Sequence, residues 1–328
     1  MISEPVAKVD PGADRYEGEP GTRRKFVIGL ANAVATTAIA AMQPVITRYS
    51  ALNIDPLLFS AGSVTIAAAF VAAALARSGE LATLADRKYL PRLFALSMTG
   101  TVATTLSLIF ALRKIDAVSA VILLESEPIY SLLLATVFLH ERPSKRQLGA
   151  TATIIAGIVL ALAGGGAFSP PYPAALVFIT PLFWQISHVL SLGIMPPLSP
   201  RCVTGARYLF AAFVLLALLF VFKPRASAEL SHPQALLILS FTGIVVFALG
   251  SLSWYGAISR LSLAWTTAFV IPGVPILSFL FTMIFLGEYP SAREIAGMVI
   301  AIVGVIALLS AADTRRLESA EAVHQPLN

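Results

Sequence analysis

Ten apolar runs of bilayer-spanning length follow one another with only short polar breaks, and this succession limits what the chain can fold into. An α-helix crosses the hydrocarbon layer with about 20 apolar residues. Such runs occupy 26–48, 57–76, 91–112, 117–139, 146–163, 174–195, 202–222, 235–258, 263–286 and 293–311. The breaks hold turn formers: Asn53-Ile54-Asp55-Pro56, Arg77-Ser78-Gly79-Glu80, Gly164-Gly165-Gly166 and Pro196-Pro197. Lipid offers no partner to a backbone N–H or C=O, so each run must satisfy its own polar groups as a helix. The expected fold is an all-α integral membrane protein with ten transmembrane helices. A polar, disordered N-terminal tail over 1–25 and a C-terminal tail over 312–328 are expected at its ends.

Composition closes the other routes. Hydrophobic residues make up 57% of the 328 and charged residues 12%, with a mean hydropathy of +0.82. That excess cannot be hidden in one soluble core, which excludes a cytosolic domain, a disordered chain and a collagen-like rod. The net charge of +5 does not mark a nucleic-acid binder, because most Lys and Arg sit between apolar runs and form no patch with interleaved aromatics. The single cysteine, Cys202, excludes a disulfide framework and a Cys-rich metal site. Residues 1–25 carry five acids and five bases and lack the apolar stretch of a signal peptide, so the first span is expected to direct insertion. With a cytoplasmic N-terminus, sixteen Lys and Arg fall on the cytoplasmic side and six on the other, which places both termini in the cytoplasm.

An internal repeat organises the ten spans. Residues 113–162 align without a gap on 260–309 when shifted by 147 positions. The matches include Arg113/Arg260, Pro128/Pro275, Glu141/Glu288, Pro143-Ser144/Pro290-Ser291 and Gly157/Gly304. Shared apolar letters come cheaply, but polar and proline matches in one register do not. Each half therefore holds five helices, over 26–163 and 174–311, joined by a loop over 164–173. Five is odd, so the second half crosses the membrane inverted, an arrangement that places a substrate site where the halves meet. In the same register Ser144-x-x-Gln147 and Ser291-x-x-Glu294 read as capping boxes that open the last helix of each half.

These residues resemble a known family. Ala111-Leu112, Glu127-Pro128, Phe138-Leu139-His140-Glu141-Arg142-Pro143, Gly149 and Gly157 in one half are similar to EamA repeats of the drug/metabolite transporter superfamily. So are Ala257-Ile258, Pro275, Phe285-Leu286-Gly287-Glu288-Tyr289-Pro290, Gly297 and Gly304 in the other. The resemblance covers roughly 26–310. It implies a ten-helix bundle of the bacterial inner membrane that moves small metabolites, often outward. Members often carry Arg seven residues after the Pro that opens the second helix of a repeat. Pro200 and Arg207 obey this, whereas Pro56 is followed by Ser63.

Polar residues at membrane depth are expensive and usually face a cavity or a partner. Of the eighteen acids only Glu125 and Glu127 lie deep in a span. They are two apart, hence about 200° apart around the helix, so they cannot both face one lumen, and Glu127 shares its face with Tyr130 and Ser131. Glu127 is therefore the expected lumen carboxyl, able to carry a proton or meet a substrate amine; the alternative is a protonated carboxyl that only joins two helices. Asn32, Thr36 and Gln43 form a stripe on the first span. Thr180, Trp184, His188 and Ser191 form one on the sixth, flanked by Gln185. Thr104 matches Ser251 in the repeat register, and Trp254 and Tyr255 either stack a substrate or belong to an interfacial belt. The candidate substrate-binding residues are thus Glu127, Tyr130, Asn32, Gln43, Thr104, Trp184, Gln185, His188, Trp254 and Tyr255. Arg207 lies near enough to a span end to snorkel. Gly297-x-x-x-Ala301 and Ala152-x-x-x-Ala156 read as helix–helix contacts.

The reading that follows is a secondary transporter or exporter of amino acids or drug-like metabolites working by alternating access. The expected partners are a small-molecule substrate, membrane lipid and a coupled proton, with homodimerisation left open. No cofactor, metal or nucleic acid is expected. A lipid-linked sugar flippase or nucleotide-sugar carrier of the same architecture is the alternative. A membrane enzyme would need a clustered nucleophile–base pair at depth, and His188 stands alone there.

Overall fold

The computed structural model describes residues 20–138, 142–163, 171–192, 194, 198–258, 260–261 and 263–324. Among them the backbone is helical apart from short turns and connections, and ten helices have the length and apolarity to span a membrane. These are α1 (Arg24–Asn53), α2 (Pro56–Ser78), α3 (Leu90–Leu112), α4 (Ala117–Phe138), α5 (Lys145–Leu162), α6 (Pro171–Ser191), α7 (Pro200–Phe222), α8 (Pro233–Ile258), α9 (Phe269–Leu286) and α10 (Ala292–Ala311). Helical backbone begins at Pro20 ahead of α1 and continues past α10 to His324, so part of each expected tail is helical. Residues 1–19 lie outside the described residues.

The helix ends follow from local chemistry. Asp55 accepts from the backbone N–H of Leu57 and Leu58 with Pro56 at the first helical position, and Ser199 accepts from Cys202 N–H with Pro200 in the same place. Both capping boxes form: Gln147 Oε1 accepts from Ser144 N–H at 2.8 Å, and Glu294 Oε2 accepts from Ser291 N–H at 2.7 Å. Gly79, at φ +72°, closes α2 in the left-handed conformation that favours glycine.

Packing obeys an approximate two-fold relation between the halves. The helices α2 and α7, α4 and α9, and α5 and α10 meet their counterparts, α5 and α10 most closely. Each half also lends its first helix to the other: α1 packs on α8 and α9, and α6 packs on α3 and α4. Neither α1 and α6 nor α3 and α8 form an extensive mutual contact among the described residues. The space bounded by these four helices is the candidate lumen. Away from it the surface is apolar, with Phe213, Val221 and Leu237 more than two-thirds exposed, as lipid-facing positions should be. An open apolar groove lined by Leu90, Pro91, Phe94, Leu209, Phe210 and Phe213 lies on this outer surface.

One end of the bundle is tied by an ion pair between the halves. Arg48 at the end of α1 donates to Glu288 after α9 at 2.9 Å and to the carbonyl of Leu112 at 2.7 Å. The other carboxylate oxygen of Glu288 accepts from the N–H of Ala117 at 2.7 Å. The pair thus satisfies an orphan carbonyl at the end of α3 and an orphan amide at the start of α4. Charged hydrogen bonds of this kind are worth about 1.5–3 kcal/mol. Arg48→Gln should lower stability by about that much, and Glu288→Gln placed on top of it should add little. Thermal unfolding of the single and double variants in detergent measures the coupling; full additivity would mean the contact carries no energy.

Candidate functional site

The helices bounding the lumen are irregular, and the irregularities coincide with the polar residues. α3 widens into a π turn over Met98–Ala103, and α8 does so over Thr242–Leu249. These are equivalent places in the repeat, since 98–103 shifted by 147 is 245–250. α4 breaks between Leu124 and Glu127, where Glu125 N–H bonds to Ile122 C=O and Ser126 N–H to Leu123 C=O. Pro128 gives the reason: it has no N–H to bond the carbonyl of Leu124, and its ring crowds that carbonyl. The 200° separation of Glu125 and Glu127 on an unbroken helix therefore does not apply, because the helix is broken between them.

At the break the two carboxyls have different surroundings. Glu127 accepts a hydrogen bond from Gln185 Nε2 of α6 at 2.8 Å. Glu125 is buried, and its Oε2 has no hydrogen-bond partner. Tyr130, one turn after Glu127, meets Phe178 edge-on with centroids 5.7 Å apart, at the part of the α4–α6 seam where Phe178 is exposed. Trp184 is half-buried against the core. His188 is exposed although it falls on the protein-facing stripe of α6, between the buried Thr180, Ser187 and Ser191 on one side and Gln185 on the other.

A second cluster surrounds α7. Arg207 does not snorkel: its Nε donates to Thr101 Oγ1 at 3.1 Å, and a terminal nitrogen donates to the Gly100 carbonyl inside the α3 π turn. The next residue does the same to the other half. Tyr208 Oη donates to the Phe247 carbonyl at 3.0 Å and lies 2.8 Å from Ser251 Oγ. Gly100 and Phe247 are equivalent positions in the repeat, so adjacent side chains of α7 occupy the carbonyls that the two π turns offer. Tyr255 and His188 lie within electrostatic reach of the Arg207 guanidinium, and Thr204 hydrogen-bonds with Tyr255.

The structure brings Glu127 and Gln185 together, and it gathers His188 and Tyr255 around Arg207. Thr104 is buried beside this cluster and donates to the Gly100 carbonyl that Arg207 also meets, and to the Thr101 carbonyl. Three other candidates are not gathered there. Asn32 bonds to Ile28 and abuts Gly256, where a Cβ would stand 2.7 Å from its Oδ1. Trp254 packs beside Ala33, Ala257, Leu261 and Val270. Gln43 is half-buried without a hydrogen bond to another described residue. Arg207 and Tyr208 are candidate site residues that the polar stripes missed. The spacing from Pro200 marked Arg207, but spacing says nothing of which way a long side chain turns. Glu141, the repeat counterpart of Glu288, lies outside the described residues. No group of three His, Cys, Asp or Glu able to hold a metal occurs among the described residues.

Comparisons with known proteins agree with this architecture. The chain is 27% identical over 233 residues to a protein of Streptantibioticus cattleyicolor named "Probable terminal-alkyne amino-acid exporter", covering 70% of this chain and 76% of that one. It is 25% identical over 224 residues to an "Uncharacterized transporter" of Archaeoglobus fulgidus, covering 66% of this chain and 77% of that one. A protein of known crystal structure superposes with a TM-score of 0.63 at 19% identity, over 90% of this chain and 99% of that one, which establishes a shared fold. The model of the EamA-like transporter family matches residues 27–163 and again 172–310. The chain belongs to the EamA-like transporter family.

Proposed function

We propose that this transporter is a secondary exporter of small metabolites, amino acids or drug-like compounds, which works by alternating access between its two inverted halves. The observation that carries the reading is the exchange of first helices, α1 into the second half and α6 into the first. Rocking of one half against the other then opens and closes a lumen at their junction. The relative named as an amino-acid exporter supports small, amine-bearing cargo. A lipid-linked sugar flippase or nucleotide-sugar carrier fits less well. Binding a diphosphate calls for several lumen cations, and the candidate cluster offers Arg207 alone, already engaged by Thr101 and Gly100. The test is rescue: cells expressing the chain should survive a toxic amino acid, analogue or metabolite that kills the control, with export visible as a lower internal concentration. Failure to protect against any compound while the protein accumulates would count against export.

The proposed setting is the bacterial inner membrane with both termini cytoplasmic, supported by the sixteen-to-six charge bias. Reporter fusions at positions 168 and 328 should read extracytoplasmic and cytoplasmic, respectively. The reverse pattern would refute the orientation, and the same side for both would refute the inversion.

A further inference from the structure

Four basic residues, Arg77, Arg87, Lys88 and Arg92, fall between the last turn of α2 and the first turn of α3, against two acids, Glu80 and Asp86. Both acids are engaged locally. Glu80 accepts from Ser199 Oγ at 2.8 Å, which ties this loop to the start of α7, and Asp86 Oδ1 accepts from Lys88 N–H at 2.9 Å. Lys88 lies over the Tyr89 ring, 5.2 Å from its centroid. Arg87 is exposed and forms no ion pair with a described residue. It stands at the rim of the bundle as a charge available to a partner.

The backbone places that charge in line with the apolar groove on the outer surface. Leu90 N–H bonds to Asp86 C=O and Leu93 N–H to Tyr89 C=O, so the helical path of α3 extends back over 87–89. On that path Arg87, Leu90, Pro91 and Phe94 recur at i, i+3, i+4 and i+7, which is one face of one helix. The last three line the groove together with Leu209, Phe210 and Phe213 of α7. Phe94 and Phe210 meet edge-on between the two helices, with centroids 6.2 Å apart. Both helices begin at the same end, as the Glu80–Ser199 bond shows. They are level where Ser97 Oγ donates to the Arg207 carbonyl at 2.7 Å, since each of these residues lies two turns into its helix. From Leu90 to Phe213 the groove therefore runs from the end of the bundle to a depth of about 20 Å at the helical rise. Half of the hydrocarbon layer is about 15 Å, so the groove spans one leaflet.

We infer that this face binds an anionic phospholipid, with an acyl chain laid along the groove and the headgroup phosphate on Arg87. Two features together set it apart from the rest of the lipid-facing surface. A groove walled by two helices holds a chain along its length, and a basic side chain on the same face meets the phosphate where the chain ends. The planar guanidinium matches phosphate oxygens in pairs, which a point charge does not. A zwitterionic lipid carries its own cation beside the phosphate and gains less from Arg87 than a lipid with net negative charge. With the N-terminus cytoplasmic, the site lies in the cytoplasmic leaflet, whose surface is negatively charged.

The test uses the full-length protein in nanodiscs of phosphatidylcholine that carry a minor share of either phosphatidylglycerol or phosphatidylcholine brominated at mid-chain. The indole introduced by Phe213→Trp, at a groove position 76% exposed, reports the lipid beside it once the signal of the unsubstituted protein is subtracted. Brominated phosphatidylglycerol should quench it as if enriched about three- to ten-fold over the bulk, the effect of one basic side chain at a membrane surface. Added salt should weaken the preference, and brominated phosphatidylcholine should show no enrichment. Arg87→Gln on the same background should bring phosphatidylglycerol to parity, and Arg87→Lys should retain part of the preference. Leu237→Trp is the control: it is equally lipid-facing on α8, and the turn before it, 233–236, holds no base, so it should show parity throughout. Equal quenching by the two brominated lipids at Phe213→Trp, or a preference that Arg87→Gln leaves intact, overturns the inference. Absence of quenching by either lipid overturns it too, because protein, such as a second copy of the chain, then covers the groove. Nanodiscs present the same lipids in both leaflets, so the outcome does not depend on which end of the bundle is cytoplasmic.

Discussion

Replacing Gly157 with valine should prevent the protein from accumulating in the membrane. A Cβ at 157 would stand 2.5 Å from the backbone nitrogen of Ala301 and 2.6 Å from the carbonyl oxygen of Gly297. Both are main-chain atoms of α10, so no rotamer change can make room, and the two helices must move apart. The damage is not local. A Cβ on Gly297 would meet the Gly157 carbonyl at 2.5 Å, and one on Gly304 would meet the Ile154 nitrogen at 2.8 Å, so the crossing is close along its whole length. Membrane helices gain their affinity from such close approach, because lipid supplies little hydrophobic force between them. Even Gly157→Ala should cost about 1–3 kcal/mol or more, the range seen when methylenes are forced into a filled site. Gly149→Ala, on the same helix, is the control. No atom lies within 4 Å of its Cβ, and alanine favours helix over glycine by about 1 kcal/mol. Yield and thermal unfolding in detergent should rank Gly149→Ala at or above wild type, Gly157→Ala well below, and Gly157→Val last. Normal yield and melting for Gly157→Val would mean that α5 and α10 do not cross as described.

The same crossing marks how far a sequence can be read. The ten spans were legible because lipid demands unbroken apolar stretches, and the repeat was legible because Glu288, Pro275 and Gly304 fall 147 positions after Glu141, Pro128 and Gly157. The contact face of α5 was only half legible. Gly297 and Ala301 do meet α5, but Ala152 and Ala156 are exposed, and the buried face runs through Ala150, Ile154, Gly157 and Ala161. Small size permits a contact without specifying one, since an alanine facing lipid costs nothing. The repeat register would have chosen correctly, because Ala150 is the counterpart of Gly297. At the candidate site, the stripes on α6 pointed to Gln185, which does bond Glu127 across the α4–α6 seam, since polar groups on a span must turn from lipid. Direction was lost where the helix departs from 3.6 residues per turn. Pro128 breaks α4, and the π turns of α3 and α8 free the carbonyls of Gly100 and Phe247. Those carbonyls draw Arg207 and Tyr208 inward, a consequence of geometry that residue types and spacing do not encode.

Glu127→Gln should leave the protein folded and abolish transport. The substituted amide keeps the shape of the side chain, and its carbonyl can still accept the 2.8 Å bond from Gln185 Nε2, so the α4–α6 seam should hold. What it loses is the capacity to take up a proton or to face an ammonium with a negative charge, and either role requires a carboxyl. Unfolding should stay within about 1 kcal/mol of wild type, the net worth of a single hydrogen bond, while uptake into proteoliposomes falls to background at every pH. Glu125→Gln separates the roles of neighbouring acids. Glu125 is buried, its Oε2 has no partner, and no described side chain receives a hydrogen bond from it. The substitution removes a potential buried charge that nothing compensates, so transport should persist with the pH profile of wild type. Glu125 remains close enough to Glu127 to interact with it electrostatically, which makes a small displacement of that profile the most that Glu125→Gln should produce. Should Glu125→Gln be inactive and Glu127→Gln fully active with an unchanged profile, the bond to Gln185 would be a structural strut, and the working carboxyl would be the unpaired one at the break in α4.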